Sequence, residues 1–155
     1  MAKPDKAMGI IAYEMQYVND RVPQSDIVCI PFEALCFQEY KRIYNECFYE
    51  MRKVLDIQPY HFLNAYDQIA EKAKDIYLLI DQGEIIGSVA CYGNEIDDLI
   101  VNPKFRRKGY GKQLLLWAMQ HMRERNNDPM GQIQKAIPRA KERKDGVRYA
   151  AVSYR

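Results

Sequence analysis

The chain has few of the residues that build metal centres. Its 155 residues include four cysteines and two histidines. No two cysteines form a Cys-x-x-Cys pair, and His61 and His121 lie far in sequence from the cysteines and from each other. This spacing predicts no zinc site and reduced cysteines. Cys36 and Cys47 fall on an apolar helical face, which favours their interpretation as small buried hydrophobic side chains.

Long hydrophobic runs are also missing, and so is a strong net charge. No segment approaches the length of a membrane span, and the N-terminus does not resemble a signal peptide, so we expect a soluble cytoplasmic protein. The net charge is +2, which favours no nucleic-acid partner. From Pro129 onward, seven basic residues stand against two acidic ones. Such a tail gives only salt-sensitive, non-specific affinity, and no nucleic-acid motif accompanies it.

Hydrophobic periodicity predicts the order of the secondary-structure elements. Apolar residues recur every three or four positions from Phe32 to Val54, as in a helix with one buried face. We expect further helices over residues 60–75 and from Gly109 or Tyr110 onward, and strands over 26–32, 76–81, 84–92 and 95–101. Gln82-Gly83 is the predicted turn of a hairpin. This order predicts an α/β (α+β) domain with a mostly antiparallel central sheet flanked by helices.

Three regions are predicted along the chain. Residues 1–25 form an N-terminal extension of uncertain structure, and "IIAYEMQYV" within it fits a strand or a helix. Residues 26–128 form the core. Residues 129–155 form an atypical basic C-terminal segment.

The stretch "VNPKFRRKGYGKQLLLWAM", residues 101–119, places a basic, glycine-containing turn between a strand and a helix. The first backbone N–H groups of a helix lack intrahelical partners and lie at the positive end of its dipole. Such an end binds phosphate. Glycines at 109 and 111 allow close approach of the backbone, and the nearby basic side chains add positive charge. The turn therefore predicts a phosphate cradle, which suits a pyrophosphate best.

Two common phosphate-binding motifs are excluded by the spacing, because neither G-x-x-x-x-G-K-[ST] nor G-x-G-x-x-G is present. The chain instead has Arg106-x-x-Gly109-x-Gly111, preceded by Leu99-x-Val101-x-Pro103. This pattern resembles the acetyl-CoA motif of the GNAT N-acetyltransferase family, [QR]-x-x-G-x-[GA] after a strand. The resemblance covers roughly residues 26–127 and includes the hairpin, the strand, the turn and the apolar helix.

The resemblance implies a GNAT-like sheet and acetyl-CoA as the co-substrate, with no metal. The turn would hold the pyrophosphate of coenzyme A, and the main chain of the preceding strand would pair with the pantetheine arm. The implied cofactor-binding residues are Leu99, Ile100, Val101, Arg106, Arg107, Lys108, Gly109, Tyr110, Gly111 and Lys112.

Acetyl transfer to an amine also needs a base, which the preceding strand can supply. In the resembling family a carboxylate near this strand often serves, so the candidates are Glu95 and then Asp97. Strand alternation predicts both on one face with Leu99 and Val101, and Asp98 on the other. The alternative is that these are solvated charges at the start of a strand.

The family's usual acid, a tyrosine in a C-terminal helix, has no match at the corresponding position. Pro138 and Ala140 fall in that segment, and Tyr149 and Tyr154, the tyrosines that remain, do not match by position. The tail is therefore a divergent folded replacement, a disordered basic tail, or the product of a frameshift or truncation. A truncated domain would expose a sheet edge, which allows a homodimer.

The acceptor pocket is expected between the early helices and the hairpin. Tyr40, Tyr44, Phe48 and Tyr60 are its candidate walls, and His61 is a candidate second base. The alternative is that these aromatic residues belong to the core. The acceptor is a small-molecule or protein amine that the sequence does not name, and the alternative function is a non-catalytic acyl-CoA-binding or interaction module.

Overall fold

The computed structural model describes residues 12–15, 17, 21–126, 140–141 and 153–154. Within these residues the α-helices are α1 (Phe37–Val54) and α2 (Tyr110–Asn126). The strands are β1 (Ala12–Met15), β2 (Ile30–Pro31), β3 (Ile76–Asp81), β4 (Glu84–Tyr92), β5 (Glu95–Val101), β6 (Ala140–Lys141) and β7 (Ser153–Tyr154). Single 3₁₀ turns span Ala34–Cys36, Tyr66–Gln68, Ala73–Asp75 and Pro103–Phe105.

The centre of the fold is an antiparallel sheet in which β2, β3, β4 and β5 are successive neighbours. Gln82 and Gly83 join β3 to β4 with φ values of 49° and 75°, the left-handed pair that a two-residue hairpin turn requires. The predicted hairpin and the bounds of β3, β4 and β5 are therefore confirmed. Beyond β5 the strand order continues β7, β1, β6, with Ile96 opposite Tyr154.

The sheet separates two hydrophobic cores. The residues of β4 divide between the two cores: Ile85 and Ala90 pack with α1, whereas Val89 and Cys91 pack with α2. Ile85 and Ala90 share a face although they are five positions apart, because the β3–β4 register shifts between Leu79 and Ile80. The α1 core includes Tyr40 among its fully buried side chains. A mixed α/β domain with helices on both faces of an antiparallel sheet is the fold class that the sequence predicts.

Close packing of α2 onto the sheet depends on Gly87. A Cβ atom at this position would lie 2.6 Å from Leu114 Cδ1 and 2.7 Å from the backbone oxygen of Ile100. Neither distance is tolerated by a real Cβ atom, so the absence of a side chain lets the helix reach the sheet beside the end of β5.

A bulge interrupts β5, so the predicted alternation of side chains along this strand is wrong. The β4–β5 register shifts between Ser88 and Ala90, whose partners are Ile100 and Asp97, and Asp98 has a φ of 44°. The extra residue reverses the facing of the strand. Before the bulge, Ile96 packs in the α2 core; after it, Ile100 packs in the α1 core while Leu99 and Val101 pack towards α2. Glu95 and Asp97 therefore do not share a face with Leu99 and Val101.

The predicted strand over residues 26–32 is mostly wrong, since only Ile30 and Pro31 form ladder pairs. Pro31 has no N–H to donate to the ladder. Upstream, the Ser25 hydroxyl donates to the Gln113 backbone oxygen at 3.1 Å, and the Asp26 N–H donates to Gln113 Oε1 at 2.8 Å. These bonds hold the segment against α2 rather than in the sheet.

The predicted second helix over residues 60–75 is wrong. This region contains only the 3₁₀ turns Tyr66–Gln68 and Ala73–Asp75. Side chains form hydrogen bonds with the backbone N–H and C=O groups that a helix would pair with each other. Asn45 of α1 donates to the Leu63 oxygen and accepts from the Leu63 N–H. Gln68 Oε1 likewise accepts from the N–H groups of Asn64 and Ala65.

The four cysteines are unpaired in the described structure. Burial raises the pKa of Cys29 and of Cys91 to about 12, so both thiols are protonated structural groups. Among the described residues, no helix is long and apolar enough to cross a membrane.

Candidate active site

The basic turn is held at its start by Asn102, which is 2% exposed. The Asn102 N–H donates to the Ile86 oxygen at 2.9 Å, and its side-chain amide donates to the Ile85 oxygen at 3.0 Å. Its Oδ1 accepts from the Lys104 N–H at 3.2 Å and so caps the 3₁₀ turn that begins at Pro103. The sheet and the turn are thereby fixed to each other at one buried amide.

The turn then passes through two left-handed residues before α2 begins. Arg107 has a φ of 63° and Gly109 a φ of 85°. The Gln113 N–H donates to the Gly109 oxygen at 3.2 Å, so Gly109 stands immediately before the first helical residue, Tyr110. The N–H groups of the first helical turn consequently face out of the positive end of α2, as the sequence predicts.

A cleft of about 400 Å³ opens beside this turn. The structure brings eight of the ten predicted cofactor-binding residues to its walls, namely Leu99, Ile100, Val101, Arg106, Arg107, Gly109, Tyr110 and Gly111. The other two, Lys108 and Lys112, are exposed on the same turn and helix start. Lys108 extends its ammonium over the ring of Phe105, 5.6 Å from the centroid.

Helix α1 supplies the opposite wall of the cleft through Cys47 and Phe48. Arg106 bridges the two walls: its Nε donates to the Val101 oxygen at 3.3 Å, and its Nη2 donates to Cys47 Sγ at 3.3 Å. The Cys47 thiol itself donates to the Val101 oxygen at 3.4 Å. Burial raises the pKa of Cys47, and the Arg106 guanidinium partly offsets this effect.

The residues of the turn fit a pyrophosphate. A Cβ at Gly109 would meet nothing within 4 Å, so the space in front of the turn is open. A Cβ at Gly111 would lie 3.7 Å from Val101 Cγ2, which brings the helix start against the end of β5. Free backbone donors, an open front and exposed cations form the donor set that a diphosphate needs.

The three carboxylates of β5 have different surroundings because of the bulge. Burial raises the pKa of the Tyr44 and Tyr92 phenols, which lie on the α1 side of the sheet, and the negative charges of Asp98 and Asp97 raise it further. Burial, and then the neighbouring Asp97, raise the pKa of Asp98 to about 6, and Lys72 partly opposes this rise. Asp98, which the sequence places on the other face from Glu95 and Asp97, thus joins Asp97 next to the tyrosines.

Aromatic rings on α1 connect these carboxylates to the cleft. Ring centroids are 5.9 Å apart for Tyr40 and Tyr44 and 4.7 Å apart for Tyr44 and Phe48. Phe48 lines the cleft, so the three predicted acceptor-side aromatics of α1 form one continuous row. Burial raises the pKa of Tyr40 and of Tyr44, which keeps both phenols protonated.

Tyr60 and His61 lie apart from that row. Tyr60 donates to Asp56 Oδ1 at 2.6 Å, and its ring is 6.0 Å from that of Tyr49. His61 is exposed and stacks on Tyr49 at 4.9 Å. The structure therefore does not bring these two predicted residues together with Tyr40 and Tyr44.

Some site residues carry no sequence signal strong enough to select them. Asp98 reaches the tyrosines because of a bulge, and bulges have no simple sequence pattern. Cys47 lies on the helical stripe that also predicts a buried residue, and only the fold shows that it borders a cleft. Among the described residues no group of histidine, cysteine and acidic side chains is arranged to hold a metal ion.

The fold and the cleft together define a class of protein: an α/β domain that presents the open, basic start of a helix beside a bulged strand. The family model described as "Acetyltransferase (GNAT) family" matches residues 37–147. The chain belongs to the GNAT acetyltransferase family, and the resemblance drawn from residues 99–111 is confirmed.

Among solved structures, the chain is similar to N-acetylglutamate synthase from Neisseria gonorrhoeae, complexed with coenzyme A and N-acetyl-glutamate. The sequence identity is 15% and the TM-score is 0.47. The match covers 66% of this chain and 24% of that enzyme, so the chain spans about a quarter of its length. A comparison with curated protein sequences gives no significant match.

Proposed function

We propose that this protein transfers an acetyl group from acetyl-CoA to a primary amine. Membership of the acetyltransferase family supports acyl transfer in general. The observation that carries the choice of co-substrate is the cleft, where the open helix start and the end of β5 meet. We place the pyrophosphate at the helix start and the pantetheine arm along Leu99, Ile100 and Val101, which line this cleft.

Each wall of the cleft has a separate role in binding. The N–H groups that open α2 and the exposed cations of the turn hold the pyrophosphate. The backbone of β5 beyond the bulge pairs with the pantetheine arm, and Phe48 supplies an apolar surface. Arg106, which bonds to the Val101 oxygen and Cys47, fixes the two walls relative to each other before the co-substrate arrives.

Acetyl-CoA supplies an activated acyl group as a thioester, and the chain must supply a neutral amine. A carboxylate that is ionised at neutral pH but has a raised pKa suits this task, because it holds an ammonium and accepts its proton. Asp98, with a pKa of about 6, meets this requirement at the bulge. We therefore place Asp98 before the sequence-based candidates Glu95 and Asp97 as the proton acceptor.

Thermal unfolding with acetyl-CoA tests the co-substrate directly. At 100 times the Kd, a bound ligand adds about 2.7 kcal/mol to the free energy of unfolding. For a chain of this size the Tm should rise by about 5–10 °C. An equal concentration of adenosine without the diphosphate is the control and should give a much smaller rise.

Three possible results separate the proposal from its alternatives. A shift with acetyl-CoA, followed by release of free CoA thiol when amines are added, establishes the transferase. A shift without thiol release from any amine leaves the non-catalytic acyl-CoA-binding module. Cooperative unfolding without any shift overturns the co-substrate proposal.

A further inference from the structure

On the α1 side of the bulge lies a group of five residues, Tyr40, Tyr44, Tyr92, Asp97 and Asp98, here called the tyrosine–aspartate cluster. Resting on the proposed function, we propose that this cluster selects as acceptor an apolar primary amine, bound as its ammonium by Asp98 against the tyrosine rings. The acceptor class is thus an amine on an aromatic or aliphatic chain without a neighbouring carboxylate.

The charge of the cluster favours a cation. Asp97 and Asp98 are adjacent on the bulge and partly buried, and the Asp98 N–H donates to Asp97 Oδ1 at 2.8 Å. Two carboxylates close together at a half-buried position repel each other and any further anion. A carboxylate beside the acceptor amine, as in an α-amino acid, would be repelled here, whereas an ammonium relieves the repulsion.

The structure already shows a cation at the edge of the cluster. The Lys72 ammonium lies over the Tyr92 ring, 5.7 Å from its centroid, and it lowers the pKa of Asp98. This is the arrangement in which ring faces and a carboxylate attract an ammonium together. Lys72 is exposed and comes from the loop before β3, so a ligand ammonium can take its place without disturbing the core.

A buried hydroxyl without a hydrogen-bond partner in the described structure, that of Ser88, lies on the same face of the sheet as the cluster. Ser88 is 0% exposed, and among the described residues its Oγ has no hydrogen-bond partner. Ser88 lies two residues before Ala90 and four before Tyr92, which puts it on the α1 face of β4. There its hydroxyl lies close enough to the Tyr40 phenol to lower the pKa of that phenol, although the two oxygens do not form a hydrogen bond of normal geometry. A buried hydroxyl with unused capacity beside the bulge is a donor available to a bound ligand.

The rings determine the apolar character of the acceptor and its position. Phe32 lies edge-on to Tyr40 at 5.2 Å, and Phe62 lies 6.4 Å from Tyr44. Through Tyr44 and Phe48 the same row of rings reaches the co-substrate cleft. An amine held at Asp98 therefore lies at the end of the cleft where β5 bends, with its apolar chain against α1.

Binding of phenethylammonium tests the inference without any turnover. Affinity is measured by calorimetry at pH 7.5 on the full chain without acetyl-CoA, with 2-phenylethanol as the uncharged match. We expect the amine to bind at least about tenfold more tightly than the alcohol. We also expect its affinity to fall as the pH is lowered through about 6, because Asp98 then becomes protonated.

Two variants connect the binding to named residues. Asp98→Asn keeps the shape and the tolerance of a left-handed φ, and it should reduce amine affinity at least about tenfold while alcohol affinity stays the same. Tyr49→Phe alters a tyrosine of α1 that packs on Tyr60 and His61, outside the cluster, and should change neither. The titratable groups that face Asp98 are Asp97, Lys72, Tyr40, Tyr44 and Tyr92.

The outcomes are separable from those of the proposed function. Equal binding of amine and alcohol, no amine binding, or unchanged amine affinity in Asp98→Asn would overturn the cluster as the acceptor site, even if acetyl-CoA stabilises the protein. Selective amine binding that depends on Asp98 would support it, even if acetyl-CoA gives no thermal shift and the co-substrate proposal fails.

Discussion

The proposed co-substrate cleft and the tyrosine–aspartate cluster share strand β5 but are built in different ways. The cleft takes most of its walls from one continuous stretch, residues 99–111. The cluster combines α1, β4 and β5, from Tyr40 to Asp98, and depends on a bulge. A binding surface made by one turn is encoded locally, whereas a surface made by three elements exists only when all of them have packed.

Replacing Asp98, the proposed proton acceptor, should have the largest effect on turnover. Asp98→Asn should lower turnover by about 10²–10⁴-fold, the range for loss of a general base. In the wild type the rate should rise as pH increases through about 6, because Asp98 must lose its proton to act. That limb should disappear in the variant, as a pH–rate profile of CoA thiol release with phenethylamine will show.

Two further carboxylate variants show whether the effect belongs to Asp98. Asp81→Asn removes an exposed charge at the far end of β3 and should leave the profile unchanged. Glu95→Gln should change turnover by less than about threefold if Asp98 is the acceptor. A large loss in Glu95→Gln with an intact rate in Asp98→Asn would return the role to the sequence-based candidate.

The cleft can be broken at Gly111 without distorting the chain. Gly111→Glu should weaken acetyl-CoA binding about 100-fold or more, because its carboxylate would lie at the proposed pyrophosphate site. Gly111→Ala is the matched control, since its Cβ makes only an ordinary 3.7 Å contact with Val101 Cγ2. Calorimetric titration with CoA measures both. Equal losses in the two variants would show that steric fit, rather than charge, controls the site.

Gly87 provides a test that affects both regions through the sheet. Gly87→Ala should reduce the free energy of unfolding by about 1–3 kcal/mol, because the added methyl group overlaps Leu114 and the Ile100 oxygen. Chemical denaturation measures the change. Gly83→Asn is the control: a Cβ there meets nothing within 4 Å, and asparagine tolerates the φ of 75°. A neutral Gly87→Ala variant would mean that α2 can move off the sheet.

Several elements could be predicted from the sequence because their signals are local. The hairpin follows from Gln82-Gly83 between two apolar runs, and the start of α2 follows from the glycines and the apolar face after them. The helix over residues 60–75 was mispredicted because side chains from another element, Asn45 above all, bind the backbone there. The short strand before α1 was overextended for the same reason, since Gln113 of α2 holds the chain away from the sheet.

By itself the sequence determined the family and the glycine-containing turn before α2, because Gly109 and Gly111 act through the backbone of their own segment. Only the tertiary structure decided which carboxylate faces the tyrosines. One additional residue at the β5 bulge reverses the facing of the strand, and the long-range pairing of Ser88 with Ile100 and of Ala90 with Asp97 fixes where that residue is inserted. The chemistry of the acceptor side therefore depends on packing between elements distant in sequence.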